Sequence, residues 1–412
     1  MLQKILHHGK YALLVSLTEK GVFFLLFVYL ARISPTDQYG TIVATFALAG
    51  ILNSLLEFGF GAYIQREVSA RSASVERELN TILAMKGAGG IVYAALLFAY
   101  FSLFNQSVTF DSLMIIATLY LSGFAALFNK VLYGNGEFRR SFASLFSSRL
   151  LIPLGLGMLL LVPSLASMAL MLPLISILMQ TVVLSRYLRT DGVVLTGLFD
   201  KNTAVTVLRS SLPMGIGVAF VWIYDKVDVL LIQHLISVNS VALYSVAYSL
   251  YKMPQMAASM VLTPLYTELS KQFTESRTIS LKPLRGTILF LIGSSMGAVV
   301  IFLVIPGELV TLIYGEQYRE SAQALMMLSF ALPALFLNNF TGVMLNSIRQ
   351  ERKAMTSAFW ALIINVSLNV MLLPIIGLAA AILATICTEY SNWIIQCVYL
   401  YRSRCITWNQ TH

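Results

Sequence analysis

The segment Val221–Gln233, VWIYDKVDVLLIQ, is greasy enough for hydrocarbon, yet it carries Asp225, Lys226 and Asp228. It lies inside a longer apolar run, Leu208–His234, and roughly 20 mainly apolar residues suffice to cross a bilayer as a helix. A charge at the centre of such a helix costs roughly 2.5–3.5 kcal/mol on insertion scales. Three charges in one run therefore predict surroundings other than lipid: partner side chains or a water-filled interior.

The rest of the chain has the same character. Of its 412 residues 58% are hydrophobic and 11% charged, against about 25% charged in a soluble domain. A soluble core cannot hide that much apolar surface. Twelve spans are expected. Six lie near Tyr11–Ala31, Gly40–Tyr63, Thr81–Phe104, Ser112–Tyr133, Phe142–Val162 and Met168–Leu188. Six more lie near Leu208–His234, Ala242–Leu265, Thr287–Ile305, Ser321–Leu345, Ala354–Leu373 and Leu378–Tyr399. Barrel strands would be shorter and would alternate in polarity. The expected fold is all-α: a polytopic membrane protein of twelve transmembrane helices in two six-helix bundles around a central cavity. Lys4 and Lys10 precede the first apolar stretch as in a signal peptide. That stretch ends in Arg32-Ile33-Ser34-Pro35 with no small-x-small cleavage pattern, so the first helix is expected to be retained.

Lys and Arg test this map. With a cytoplasmic N-terminus, 21 of the 28 fall in inside segments, five within helices, and only Arg32 and Arg319 in outside loops. Cytoplasmic loops carry such an excess, so both termini are expected in the cytoplasm. The net charge of +9 then belongs largely to topology, and no nucleic-acid partner is needed. The outside loops Asn105–Asp111, Pro163–Ser167, Gln233–Val241 and Pro374–Gly377 are too short to fold as separate domains. That speaks against a membrane enzyme that polymerises or ligates glycans.

The two halves echo each other. Tyr39-Gly40 opens the second expected helix and Tyr244-Ser245 the eighth, an offset of 205 that also carries Arg66 onto Lys271 and Lys20 onto Asp225. Leu132-Tyr133-Gly134 with Arg139 has its counterpart in Leu345-Asn346-Ser347 with Arg352. Repeated halves of this kind mark secondary transporters. The expected halves are 1–205 and 206–412, in parallel orientation because each contains an even number of helices.

Apart from Lys130, Arg186 and Arg209, which lie within one turn of cytoplasmic span ends and count above with the inside segments, ten charged residues fall within the expected spans: Glu19, Lys20, Glu57, Lys86, Arg149, Asp225, Lys226, Asp228, Lys252 and Glu389. At about 1.5 Å per residue, Lys20 lies roughly 15 Å from either end of its helix and Lys86, Arg149 and Glu57 roughly 8–10 Å from the cytoplasmic side. The cations thus form a ladder from the inner mouth to the midplane. A purely structural reading makes them ion pairs. Adjacent residues such as Glu19-Lys20 and Asp225-Lys226 point about 100° apart, so each should need a partner elsewhere. Glu389, alone in its helix, reads as a structural partner. Asp225 and Asp228, three apart and near mid-membrane, are candidates for ion coupling, with Glu57 and Glu19 behind them.

Other chemistry is unsupported. There is no G-x-x-x-x-G-K-[ST] loop for nucleotide and no Ser/His/Asp cluster. Cys387, Cys397 and Cys405 have neither metal spacing nor an even-numbered disulfide framework. His7, His8, His234 and His412 lie at termini or a helix end and form no metal site. No cofactor is expected. Gly134-Asn135-Gly136 reads as a turn and Gly215-Ile216-Gly217 as a close-packing point. Prolines 213, 254, 264, 306, 333 and 374 are placed to bend or break helices.

Several motifs, in order, carry a resemblance: Tyr39-Gly40, Glu57-Phe58-Gly59, Arg66-Glu67, Lys226-Val227-Asp228 and Leu243-Tyr244-Ser245-Val246-Ala247-Tyr248. Leu312-Ile313-Tyr314-Gly315-Glu316-Gln317-Tyr318 follows, then Leu373-Pro374, Gly377 and Ala379-Ala380-Ala381. Together they resemble bacterial polysaccharide-biosynthesis flippases of the Wzx type, a branch of the multidrug/oligosaccharidyl-lipid/polysaccharide exporter superfamily. Glu57 stands where Asp is expected and Ala242 where Gly is usual, departures that bear on local packing. The resemblance implies transfer of an undecaprenyl-pyrophosphate-linked oligosaccharide, such as an O-antigen unit of lipopolysaccharide biosynthesis, across the bacterial inner membrane by alternating access. It implies that Lys20, Lys86, Arg149, Lys226 and Lys252 line the cavity and hold the anionic head. It also implies a proton or sodium ion as coupling partner and other polysaccharide-assembly membrane proteins as neighbours. A cation-coupled multidrug exporter of the same superfamily is the alternative, kept open by Glu57, Asp225 and Asp228. A non-transporting scaffold leaves the mid-membrane charges unexplained.

Overall fold

The computed structural model describes residues 2–70 and 75–407. The expected cytoplasmic segment 71–74 and His412 lie outside the described residues, as do the side chains of Lys4, His7, His8 and Lys10. The chain is helical almost throughout. The first stretch comprises α1 (Leu2–Ile33), α2 (Thr36–Leu56), α3 (Phe60–Ser69), α4 (Val75–Leu103), α5 (Phe110–Gly134), α6 (Phe138–Arg149), α7 (Leu151–Leu161) and α8 (Met171–Thr190). After it come α9 (Lys201–Leu235), α10 (Val238–Lys252), α11 (Gln255–Ser276), α12 (Arg285–Val304) and α13 (Pro306–Tyr314). The last are α14 (Ser321–Ser329), α15 (Leu332–Ser347), α16 (Glu351–Ile376) and α17 (Leu378–Ser403). The strands among the described residues are β1 (Ile279–Ser280) and β2 (Ile406–Thr407), a two-residue parallel pair.

Each of the twelve expected spans coincides with a helix or an interrupted helix pair. Eight stretches, one of them α6 taken with α7 (Phe138–Leu161), are long and apolar enough to cross a membrane, or nine when α14 and α15, bent by 51°, count as one. The remaining three expected spans correspond to α1, α9 and the pair α10–α11. Apolar side chains stand in the open along these helices, among them Ile91, Phe98, Leu161, Val304 and Ile375, each more than 70% exposed. Patches of this extent would drive a water-soluble chain to associate; a bilayer is their natural solvent. The protein is a multi-pass, all-α membrane protein.

Of the expected spans the structure interrupts four, α2/α3, α6/α7, α10/α11 and α14/α15, the last two at Pro254 and Pro333, as the sequence leads one to expect. The first break has a visible cause. Phe58 and Gly59 adopt left-handed φ of 48° and 76°, and Gly59 presses on the backbone of α9. A Cβ on Gly59 would meet the Ser211 carbonyl oxygen at 2.5 Å, and one on Gly215 would meet the Phe58 carbonyl carbon at 2.3 Å. Neither helix tolerates a side chain there, and the close-packing reading of Gly215 holds. Pro254, lacking an N–H donor, stands at the head of α11. Pro306 opens α13, a short helix the sequence reading did not anticipate, and Gly315 at φ 103° ends it. Pro213, Pro264 and Pro374 sit inside continuous helices. At the head of α9, Asp200 accepts the Thr203 hydroxyl and the amides of Asn202 and Thr203. These bonds, the Thr203 hydroxyl foremost, hold its carboxyl below the ordinary carboxylate range.

The chain divides into two compact units. The first holds Met1–Ile33 and Thr45–Trp222; the second holds Ser34–Ala44 and Ile223–His412. In the first unit α5 packs on α3 and α8, and α1 on α6. Its core gathers Phe60, Ile64, Leu79, Leu127, Leu184 and Val207. In the second unit α17 packs on α16 and α15, α15 on α11 and α12, and α10 on α14. The first turns of α2 belong to this unit, where Gly40 lies so close to α10 that a Cβ would fall 2.2 Å from the Val238 oxygen.

Candidate functional site

In the second unit the charges of α9 meet those of α10 and α17 in one network. Asp225 sits 3.0 Å from the Lys226 ammonium and 3.3 Å from that of Lys252. Lys252 lies 3.9 Å from Glu389. The expectation that adjacent charges need partners elsewhere is met by Asp225, which reaches Lys252, and not by Lys226, whose four-carbon stem folds back on its neighbour. Tyr248 donates to Asp225 at 2.9 Å. Tyr224 and Asn338 donate to Glu389 at 2.8 and 2.9 Å. The Lys252 ammonium also stands 5.1 Å above the Tyr248 ring and 5.7 Å from that of Tyr251, within cation–π range. Glu389 is buried at 1% side-chain exposure, whereas Lys226 and Lys252 keep 26% and 22%. Glu389 is thus a buried partner of Lys252, Tyr224 and Asn338, while both ammonium groups remain partly open.

Asp228 belongs to a different circle. It is 4% exposed and receives hydrogen bonds from Tyr244 at 2.9 Å, Asn369 at 2.9 Å and Thr385 at 3.3 Å. No cation pairs with it among the described residues. Asn369 also contacts the Asn365 side-chain oxygen at 3.2 Å, and its own side-chain oxygen, fully buried, has no hydrogen-bond partner. A buried carboxylate surrounded by neutral oxygens, without a lysine, is chemically suited to hold a proton or a small cation.

The first unit spreads its charges more widely. Glu57, at the break after α2, pairs with Lys86 of α4. The pair fits because α3 and α5 present glycines to it. A Cβ on Gly123 would lie 2.9 Å from the Lys86 nitrogen, and one on Gly61 would lie 3.7 Å from Glu57 Oε1. The same point beside Gly61 is 3.3 Å from Cγ of Lys130, which brings a second lysine close to Glu57. Arg149, at the α6/α7 break, is 3% exposed; it donates to Ser176 at 2.9 Å and lies 3.7 Å from Glu19. Lys20 is exposed on α1 and has no ion pair or side-chain hydrogen bond among the described residues. Of the five cations expected to meet an anion, Lys86 and Arg149 are buried in pairs, Lys226 and Lys252 are shared with carboxylates, and Lys20 stands free.

The sequence reading missed Lys130, Asn338, Asn365, Asn369 and the tyrosines of α9 and α10. A signal was present in part: Tyr244/Tyr248, Asn365/Asn369 and Thr385/Glu389 are polar pairs four apart, each on one face of an otherwise apolar helix. No cluster of three or more His, Cys, Asp or Glu able to hold a metal occurs among the described residues.

The family model described as polysaccharide biosynthesis protein matches residues 5–270. No curated protein matches the chain in sequence. Among solved structures, an inward-facing multidrug resistance MATE family transporter of the MOP superfamily is similar. It has a TM-score of 0.76 at 14% identity, covering 96% of this chain and 98% of that one. Lipid II flippase MurJ in an inward closed conformation gives 0.73 at 14% identity, over 96% and 88%. A point mutant of the Vibrio cholerae MATE transporter VcmN gives 0.67 at 13%, over 98% and 97%. At such identities the likeness is one of fold.

Proposed function

The chain belongs to the polysaccharide biosynthesis protein family, and from that premise we propose that it is a flippase. Its cargo in this reading is an undecaprenyl-pyrophosphate-linked oligosaccharide, moved by alternating access from the cytoplasmic to the periplasmic leaflet of a bacterial inner membrane, with both chain termini in the cytoplasm. A pyrophosphate and a sugar chain cannot enter hydrocarbon without losing their hydrogen bonds to water; the polyprenyl tail can stay in lipid. The observation that carries the reading is Lys20: an exposed ammonium in a transmembrane helix, with no carboxylate to neutralise it among the described residues. Holding such a charge at mid-helix is costly, and an anionic ligand gives it a purpose. Lys226 and Lys252, still partly open, are placed to join as point charges. Lys86 and Arg149 support the first unit from within their pairs.

Asp228 is the coupling carboxylate in this reading. Asp225 is committed to two lysines, Glu57 to Lys86, and Glu19 faces Arg149. Asp228 alone of the four can gain or lose a proton or sodium ion without breaking an ion pair. A second reading, a cation-coupled multidrug exporter, draws on the same carboxylate and on the fold shared with MATE transporters. Lys20 disfavours it, because a free cation repels cationic drugs. Export assays in cells decide between them. Lys20→Gln, Lys226→Gln and Lys252→Gln should each abolish surface glycan at normal membrane levels, with Arg in the same positions restoring part of it. Wild-type surface glycan in all three Gln variants would sink the assignment.

A further inference from the structure

One cleft in the second unit belongs to neither charge network. Its volume is about 480 Å³, within the range of roughly 300–1,000 Å³ for small-ligand sites. Leu243, Met326 and Leu378 form its apolar part, and Arg319, Glu320 and Gln323 its polar rim. These residues come from α10, α14, the head of α17 and the turn after α13. All of them stand near the helix ends that the Lys and Arg distribution assigns to the periplasm.

Arg319 is the telling residue. Basic residues are disfavoured in outside loops, and Arg319 is one of just two in the loops of that side. Stability does not account for it. Its ion pair with Glu316, at 2.7 Å, is between side chains 72% and 69% exposed, and pairs that open contribute little. Glu320 and Gln323 are exposed as well, and neither has a side-chain hydrogen bond among the described residues. Planar guanidinium, carboxylate and amide groups over an apolar floor match a sugar ring. Its hydroxyls take paired hydrogen bonds from the rim, and its C–H face packs on the leucines and methionine. A rim carrying both signs of charge favours a polyhydroxylated ligand over a simple ion.

We propose that this cleft is a glycan-binding subsite on the periplasmic face, holding one or two sugar units of the oligosaccharide after it has crossed. The assignment rests on the flippase reading for its biological source, but its chemistry can be tested separately. Gly307 lines the cleft, and a Cβ there would meet no atom within 4 Å, so Gly307→Phe can fill the space with little disturbance of the surrounding fold. Saturation-transfer difference NMR on the detergent-solubilised full chain, with N-acetylglucosamine, galactose, mannose and glucuronate as probes, provides the measurement. The expected result is transfer to at least one probe, lost in Gly307→Phe and weakened in Arg319→Gln and Gln323→Ala. No transfer to any probe, or transfer that Gly307→Phe leaves unchanged, would overturn the subsite. Surface glycan in Lys20→Gln cells reports on the flippase reading independently, so the failure of one is distinguishable from the failure of the other.

Discussion

The two units arrange their charges in opposite ways. Around its ion pairs the first gathers Glu19, Lys20, Glu57, Lys86, Lys130 and Arg149, four cations to two carboxylates: Glu57–Lys86 and Glu19–Arg149 pair separately, and Lys20 has no ion pair among the described residues. The second holds Asp225, Lys226, Asp228, Lys252 and Glu389, two cations to three carboxylates. It ties four of them into one network and leaves Asp228 to neutral donors. Equal helix counts therefore do not make equal roles. The surplus positive charge suits an anionic head group, and the surplus carboxylate suits an exchangeable cation. In the proposed cycle both can operate together, because neither has to break the other's ion pairs.

The largest effect should come from neutralising the odd charge in each unit. Lys20→Gln should lower transport by at least about tenfold, equivalent to ~1.4 kcal/mol of lost interaction, while its dependence on pH or sodium stays as in wild type. Asp228→Asn should lower transport similarly but also flatten that dependence, because the amide can exchange neither proton nor sodium for charge. Proteoliposome transport across a pH and sodium series separates the two. If both variants shift ion dependence alike, the division between the units fails.

Next in size is the cost of opening the second unit's network. Glu389→Ala removes a carboxylate 1% exposed, strands Tyr224 and Asn338, and leaves Lys252 with Asp225 alone. Removing one partner of a buried pair costs about 3–5 kcal/mol; the partial exposure of Lys252 favours the lower end. Thermal unfolding of the purified protein should show a clear drop, whereas Glu19→Ala, whose side chain is 49% exposed and 3.7 Å from Arg149, should show a much smaller one. Equal drops would mean that burial does not distinguish the networks.

How much of this was legible beforehand follows from the physics of each feature. Span positions were, because hydropathy over a long window survives any detail of packing. Two of the four breaks were, at Pro254 and Pro333, because proline supplies no N–H donor; the other two were not. The one after Leu56 depends on Gly59 and Gly215, more than 150 residues apart, touching backbone to backbone, and a single sequence does not display that contact. The mid-membrane charges were visible one by one, but their partition was not. Asp225 and Asp228 look equivalent in VWIYDKVDVLLIQ, and only the lysines folding towards Asp225, and the Tyr244, Asn369 and Thr385 side chains converging on Asp228, make them different. Lys130 stands near the end of its expected span, and nothing in the sequence singles it out, because its approach to Glu57 depends on how α3 meets α5.

The smallest effect lies at the head of α9. The Asp200 carboxyl is depressed in the folded state, so its support of the first turn is present at neutral pH and above the unfolded carboxylate value. That support disappears as pH falls through the lower folded value. Hydrogen exchange at Asn202 and Thr203 should therefore show extra opening at low pH, beyond intrinsic rate changes, in wild type and at all pH values in Asp200→Ala. A pH-independent opening in wild type would rule out the cap.

The claim that Lys20 serves an anionic lipid-linked glycan is tested most directly by reconstitution. The purified protein is placed in liposomes whose outer leaflet carries undecaprenyl-pyrophosphate-linked oligosaccharide, and the fraction of glycan open to a non-permeant glycosidase is followed over time. The expected result is that the glycan becomes protected with wild type, far faster than in protein-free liposomes, and that Lys20→Gln behaves as the empty vesicles do. Protection at the empty-vesicle rate in wild type, with rapid movement of a cationic dye such as rhodamine 6G in its place, would contradict it.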